Sequence, residues 1–150
     1  MSRTETQNEL YDAALKLASA SDADYERLAP LLGAAHESGD ARATYALATW
    51  YLHGRVFKKS LRKAIALLRA AAAKNMADAL YDLAVCYENG EGVPRNDRKA
   101  VQLYLRAALQ GDRQSVYEVG RCYYYGIGVG MDRSIARVWF DSAGELGIQQ

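Results

Sequence analysis

The residues able to do chemistry are few: Cys86 and Cys122, His36 and His53, two glycine-rich runs and eleven tyrosines. No serine or cysteine stands in a nucleophile motif. Triads assemble in space rather than along the chain, so this leaves an enzyme without positive support. Neither histidine has a cysteine or carboxylate at metal-ligand spacing, so no metal site is expected. Gly90-x-Gly92 and Gly126-x-Gly128-x-Gly130 have the outline of a phosphate cradle. A dinucleotide fingerprint needs a strand ahead of its glycines, and both runs follow stretches of helical spacing. They read as turn glycines, and no cofactor is expected.

The elements that carry these residues repeat. Tyr45, Tyr81 and Tyr117 are 36 residues apart, as are Gly54, Gly90 and Gly126, and Ala64, Ala100 and Ala136. A fixed period of this length marks a helical solenoid, an architecture used mostly to bind other proteins. In the unit from Ala77 to Asp112, Ala79, Leu80, Leu83, Ala84 and Tyr87 share one helical face. Gly90 ends that helix, and Pro94 stops it from resuming. Asn96 caps a second helix with the face Ala100, Leu103, Tyr104, Ala107 and Ala108, closed by Gly111.

The punctuation repeats by role. Asp24, Ser60, Asn96 and Asp132 are in register, and all are preferred N-caps. Gly39, Asn75, Gly111 and Gly147 are likewise in register and tolerate a left-handed C-cap. We therefore read one domain of four helix pairs: a degenerate pair over 8–40, then repeats over 41–76, 77–112 and 113–148.

The two cysteines occupy one position in neighbouring repeats. Equivalent atoms of stacked helices lie roughly 8–10 Å apart, whereas bridged Cα atoms need less than about 7 Å. Free, packed thiols are expected.

These residues resemble a known family. Leu83-Ala84-x-x-Tyr87-x-x-Gly90-x-Gly92-Val93, then Asn96, Lys99-Ala100 and Ala107-Ala108-x-x-Gly111, is similar to the Sel-1-like repeat, a relative of the tetratricopeptide repeat. A further copy reads Val119-Gly120, Tyr123, Gly126-x-Gly128-Val129, Asp132, Ala136, Trp139-Phe140, Ala143 and Gly147. The resemblance spans Ala41 to Gly147 and implies an all-α, right-handed α-solenoid of antiparallel helix pairs. It also implies adaptor or scaffold work. Small free-standing members of bacterial type resemble candidates for toxin-neutralising immunity proteins. In disulfide-bearing members the partner cysteine resembles positions Ala108 or Gly144, neither a cysteine here. One copy departs: Val56 stands where the others have Gly92 and Gly128, so its turn is expected to differ in shape.

The 150 residues are half apolar, enough for a continuous core. Nineteen basic against eighteen acidic residues give a formal charge of +1, which points to neither nucleic acid nor an anionic membrane. The polar start lacks a signal-peptide core, and no apolar run approaches the ~20 residues of a membrane span. A cytoplasmic location is the default.

Residues 1–7 are expected to fray, with a first helix over Asn8 to Ser19 bearing Leu10, Ala14, Leu17 and Ala18 on one face. Ser21 to Asp24 form a turn, and a second helix runs through Ser38. Pro30 either kinks that helix or marks a later start. Arg55, Lys58, Lys59, Arg62 and Lys63 read as a solvated basic turn rather than an anion grip. At the other end, Ile135, Val138, Trp139, Phe140, Leu146 and Ile148 have no further helix to cover them. Either Trp139 and Phe140 turn inward, or the end is sticky, which would mean a weak homodimer or a piece of a longer array.

Tyr51, Tyr87 and Tyr123 extend the core stripe. Tyr45, Tyr81 and Tyr117 are rotated away from it, and packing and binding are equally open to them. By analogy with tetratricopeptide geometry, Tyr45, Thr49, Tyr81, Val85, Tyr117 and Arg121 line a concave face. Asp78, Asp82, Glu88 and Asn89 flank it, with Tyr124 and Tyr125 at its far end. The expected occupant is another protein or a peptide. A competing reading makes the groove a small-molecule pocket of an enzyme or an accessory subunit.

Overall fold

The computed structural model describes residues 2–19 and 25–147. Among them lie eight helices and no strand: α1 (Arg3–Ala18), α2 (Tyr25–Glu37), α3 (Ala41–His53), α4 (Leu61–Ala73), α5 (Ala77–Asn89), α6 (Asp97–Leu109), α7 (Arg113–Tyr125) and α8 (Arg133–Glu145). Two compact units follow one another, Met1–Lys74 and Asn75–Gln150. In the first, α1 packs on α2, α2 on α3 and α3 on α4. In the second, α5 packs on α6, α6 on α7 and α7 on α8. Within each unit, short connections make these consecutive pairs antiparallel.

The helices stop and start where the register of cap residues places them. Gly54, Gly90 and Gly126 end α3, α5 and α7 with φ of 68°, 70° and 72°. Gly39, Asn75, Gly111 and Gly147 take positive φ after α2, α4, α6 and α8. Ser60, Asn96 and Asp132 accept the N–H of Lys63, Lys99 and Ile135. Asp24, the first of that series, and the turn over 21–24 lie outside the described residues.

Several expectations need correction. The chain is helical from Arg3, not from Asn8: Ser2 Oγ accepts the Glu5 N–H while the Glu5 carboxylate accepts the Ser2 N–H. This reciprocal capping box satisfies two orphan donors without any apolar residue. Pro30 sits inside α2, which begins at Tyr25 and ends one residue before Ser38. Of the three tyrosines assigned to the core, only Tyr87 is buried; Tyr51 and Tyr123 are half-buried.

Unit 1 is centred on Leu28, Leu32, Ala35, Ala43, Leu47 and Trp50. Trp50 stands in register with Cys86 and Cys122, and all three are buried. The position is one of packing. In unit 2, Leu80, Tyr104, Val119 and both cysteines are sealed from solvent, and the thiols are free. Burial pushes the Cys86 thiol up to about 11 and the Cys122 thiol up to about 12.

At the C-terminal end the inward turn is partial. Phe140 and Trp139 are half-buried, and a Cβ on Gly120 would lie 2.8 Å from the Phe140 ring. Gly120 stands where other repeats have Ala48 and Ala84, and its missing methyl is the seat of that ring. Ile135, Val138 and Leu146 remain exposed; Ile148 lies outside the described residues.

The turn containing Val56 keeps the left-handed torsion of its counterparts: φ is 62° at Val56, 71° at Gly92 and 70° at Gly128. The Phe57 N–H donates to the Arg55 carbonyl across Val56, closing a strained three-residue turn. A β-branched residue in this region costs about 1–2 kcal/mol. Val56→Gly removes that cost but adds about 0.4–1 kcal/mol of unfolded-state entropy. The net expectation is a gain of roughly 0.5–1 kcal/mol, a rise of about 1–4 °C in Tm. Gly128→Ala should do the opposite, because its Cβ would lie 2.2 Å from the Asp97 carbonyl oxygen. Equal melting temperatures for V56G, G128A and the parent would refute this reading.

Candidate interaction face

The residues expected on the binding face divide between the two units. In unit 1, Thr49 Oγ1 donates to the Ala46 carbonyl within its own helix, and Tyr45 is half-buried. In unit 2, α5 and α7 are joined directly, so that face can be built atom by atom.

Arg121, on α7, reaches across to α5. Its Nη2 donates to Glu88 Oε2 at 2.8 Å, and its Nε donates to Glu118 Oε2 at 2.6 Å, one turn back on α7. The Tyr104 hydroxyl, from α6, donates to the same Glu88 oxygen at 2.9 Å. Gln114 Nε2 completes the chain by donating to Glu118 Oε1. Three helices are thereby held by one set of charge-assisted bonds, each roughly twice as strong as a neutral one.

The electrostatics follow from partial burial. Desolvation works against the charge on Glu88, but its bonds from Arg121 and Tyr104 outweigh it and hold the carboxyl below its ordinary range. Desolvation likewise opposes the Arg121 charge, and the bonds to Glu88 and Glu118 more than restore it. Burial, then the adjacent Glu88, pushes the Tyr104 phenol up, so it stays a donor. Burial, then Glu118 and Asp82, does the same for Tyr81. One guanidinium against two carboxylates leaves a net negative charge on the network. Exposed Asp78 and half-buried Asp82 add to it along α5.

Aromatic rings border this charge. Tyr81 meets the Tyr104 ring edge-on, with centroids 5.7 Å apart. Tyr117 and Tyr124 pack on Phe140 at 5.3 and 6.2 Å, and Tyr125 stands against Tyr124. Arg133 lies 4.5 Å over the Tyr124 ring. Val85 is half-buried, and Asn89 bonds to Glu91 at the mouth of the turn. Arg121 is thus an internal clamp rather than an outstretched side chain. Sequence reasoning missed Glu118 and the role of Tyr104. Glu118 stood three residues before Arg121, a pairing distance on a helix; Tyr104 was hidden in the apolar stripe of α6.

With this geometry in hand, comparison with known proteins identifies the repeats. The Sel1 repeat model matches residues 41–76, 77–112 and 114–148. The chain belongs to the Sel1 repeat family. A Sel1 repeat protein from Oxalobacter formigenes is similar at 34% identity, over 79% of this chain and 89% of that one, with a TM-score of 0.74. A protective antigen of uropathogenic Escherichia coli displaying an SLR fold superposes over 99% of this chain with a TM-score of 0.89 at 23% identity. The present chain spans about a third, 34%, of that antigen's length. Cysteine rich protein B of Helicobacter pylori superposes over 87% of this chain and 94% of its own, with a TM-score of 0.65 at 24% identity. No match was found among curated proteins. The fold is an all-α solenoid of Sel1 repeats, a family made up generally of protein-interaction modules. No helix among the described residues is long and apolar enough to cross a membrane.

The network makes stability depend on acid. Because the folded-state pKa of Glu88 is depressed, its contribution is complete above the ordinary glutamate value of about 4.3. It is lost as pH falls through the lower folded value. At pH 7, Glu88→Gln should therefore melt well below the parent, by the roughly 1.5–3 kcal/mol typical of charged hydrogen bonds. The difference should shrink as pH falls below about 4. A pH-independent difference in Tm would show that the Glu88 charge contributes nothing.

Proposed function

We propose that unit 2 binds a segment of a partner protein across α5 and α7, and that the segment presents a basic side chain beside an apolar one. The observation carrying this reading is the Glu88–Arg121–Glu118 network: internally satisfied, net negative, and bordered by half-exposed tyrosines. Tyrosine is enriched among residues that dominate interface energy, because it buries a large rigid surface at small entropic cost. Rings already fixed against Tyr104 and Phe140 lose little further freedom on binding. The surplus of carboxylates steers a basic partner toward the face and repels an acidic one.

Tyr81, Tyr117 and Tyr124 are the contact residues in this proposal. Glu88, Glu118 and Arg121 hold them in position, and Asp78, Asp82, Val85, Asn89 and Tyr125 border them. Tyr45 and Thr49 form the corresponding positions of unit 1. A toxin-neutralising role is the narrower form of the reading; it requires one dedicated, tightly bound partner, where an adaptor gathers several weaker ones.

The test begins with affinity capture and identification of the bound protein, followed by titration of the purified pair. Tyr117→Ala should lower affinity at least about tenfold, or 1.4 kcal/mol. Asp78→Lys, at an exposed position, should slow association at low salt and have little effect at high salt. Lys58→Glu, on the basic turn, should leave both quantities unchanged. If folded Y117A and D78K bind like the parent while K58E does not, the interface lies elsewhere.

A further inference from the structure

Unit 1 contains a cavity of about 400 Å3 between α2, α3 and α4 that the interaction face does not use. The repeat period explains its origin. Ala29, Gly33, Ala66 and Leu67 line it; two repeats later the same positions are Val101, Leu105, Val138 and Trp139. Each of these four residues is smaller than its counterpart, and in unit 2 Val101 is buried and Leu105 and Trp139 are half-buried, so three of the four positions carry more packed side chain there.

Two polar side chains stand among these small residues. His36 and Lys63 line the cavity, at positions that are Ala108 and Ile135 in unit 2. His36 Nδ1 is bonded to Thr44 Oγ1 at 2.7 Å, which orients the ring and leaves Nε2 as its remaining polar atom. Lys63 Nζ sits 5.3 Å from the Tyr51 ring centroid, and Tyr51 stacks on Phe57 at 4.9 Å with 16° between planes. These two rings are stacked one on the other at the side of the cavity. No carboxylate is among the described residues lining the cavity, while Arg55, Lys58, Lys59 and Arg62 are exposed on the adjoining turn. An apolar volume within the ~300–1,000 Å3 of ligand sites, with a few convergent polar groups, is the usual form of a small-molecule pocket.

We propose that this cavity binds a small aromatic carboxylate. Its ring lies beside the Tyr51–Phe57 stack in the space left by Gly33 and Ala66, and its carboxylate meets Lys63. Apolar burial accounts for the body of the ligand, and the single ammonium for its charge. The site shares no residue with the α5–α7 face, so either can fail without the other.

The test uses 2-naphthoate and the isosteric neutral probe naphthalene-2-carboxamide, titrated into the full chain at pH 7 and followed by amide NMR. Saturable shifts centred on Gly33, Leu47, Phe57 and Leu67 are expected, with a Kd of about 1 mM or tighter. Gly33→Leu should weaken naphthoate at least about tenfold without lowering Tm. A Cβ at this position meets nothing within 4 Å, and leucine is a better helix former than glycine. Ala66→Leu fills the same space from α4 and decides the matter if the first variant folds poorly. Lys63→Met should weaken naphthoate while leaving the carboxamide unchanged. No saturation up to about 10 mM, shifts centred outside unit 1, or undiminished binding to both filled variants would overturn the site. Equal losses for the two probes in K63M would overturn its assignment to an anion.

Discussion

In every full repeat one backbone hydrogen bond joins the first helix to the start of the second. The carbonyl of the core-stripe tyrosine accepts the N–H of the residue that caps the next helix: Ser60 to Tyr51 at 3.0 Å, Asn96 to Tyr87 at 2.8 Å, Asp132 to Tyr123 at 2.9 Å. The bond satisfies a carbonyl from the last turn of one helix with a donor ahead of the next. It forms only if the chain reverses over a fixed short path, which is why a left-handed residue must follow each first helix. It also fixes where the second helix begins, and hence which alanines meet the first. Ala64, Ala100 and Ala136 are each fully buried, and a larger side chain there would push the paired helices apart. Turn, cap and alanine are thus three expressions of one constraint.

That constraint makes departures from the period informative. Where backbone geometry is held constant, a change of side chain at one register position reflects what that repeat alone must do. Gly120 for alanine makes room for Phe140, which in turn props Tyr117 and Tyr124. Val56 for glycine carries strain, and the turn absorbs it without abandoning its torsion. At the last helix, Arg137, Asp141 and Gly144 stand where α6 has Val101, Leu105 and Ala108, and all three are exposed. The apolar Ile135 and Val138 of α8 lie instead at the positions of exposed Lys99 and Gln102 in α6. The bare apolar strip of α8 is therefore not the surface on which one repeat stacks upon the previous one.

How far the sequence alone reveals these features depends on the range of the interaction. Caps and left-handed residues act within a few positions, so Ser60, Asn96 and Asp132 could be assigned from residue type and register. The Ser2–Glu5 box is just as local, but it precedes no strong apolar stripe and a polar start resembles a frayed one. Half-burial of Tyr51 and Tyr123 is not written in helical spacing, because their exposure depends on what the neighbouring turn covers. The Glu88–Arg121 bond joins residues 33 apart, from α7 across to α5, and neither residue type nor period announces it. Tyr104 shows the same limit from the other side: one side chain can be core along its ring and part of a polar network at its hydroxyl.

The cysteines test whether covalent cross-links are part of what holds this solenoid. Disulfides compensate for cores too small to fold unaided. Here Cys86 and Cys122 share a register position with Trp50, and a residue as large as tryptophan is also buried there. What the position requires is apolar contact rather than sulfur chemistry. The residues that would have to supply a partner sulfur, Ala108 and Gly144, are respectively buried and exposed, so they do not offer equivalent surroundings in the two repeats. Burial raises both thiols far above neutral pH, which removes the thiolate that oxidation and exchange require. The likeness to a cysteine rich protein is therefore one of fold, and both cysteines of the present chain are free. Alanine-seated helix pairs and the hydrogen bonds between them take up the load that disulfides would otherwise bear.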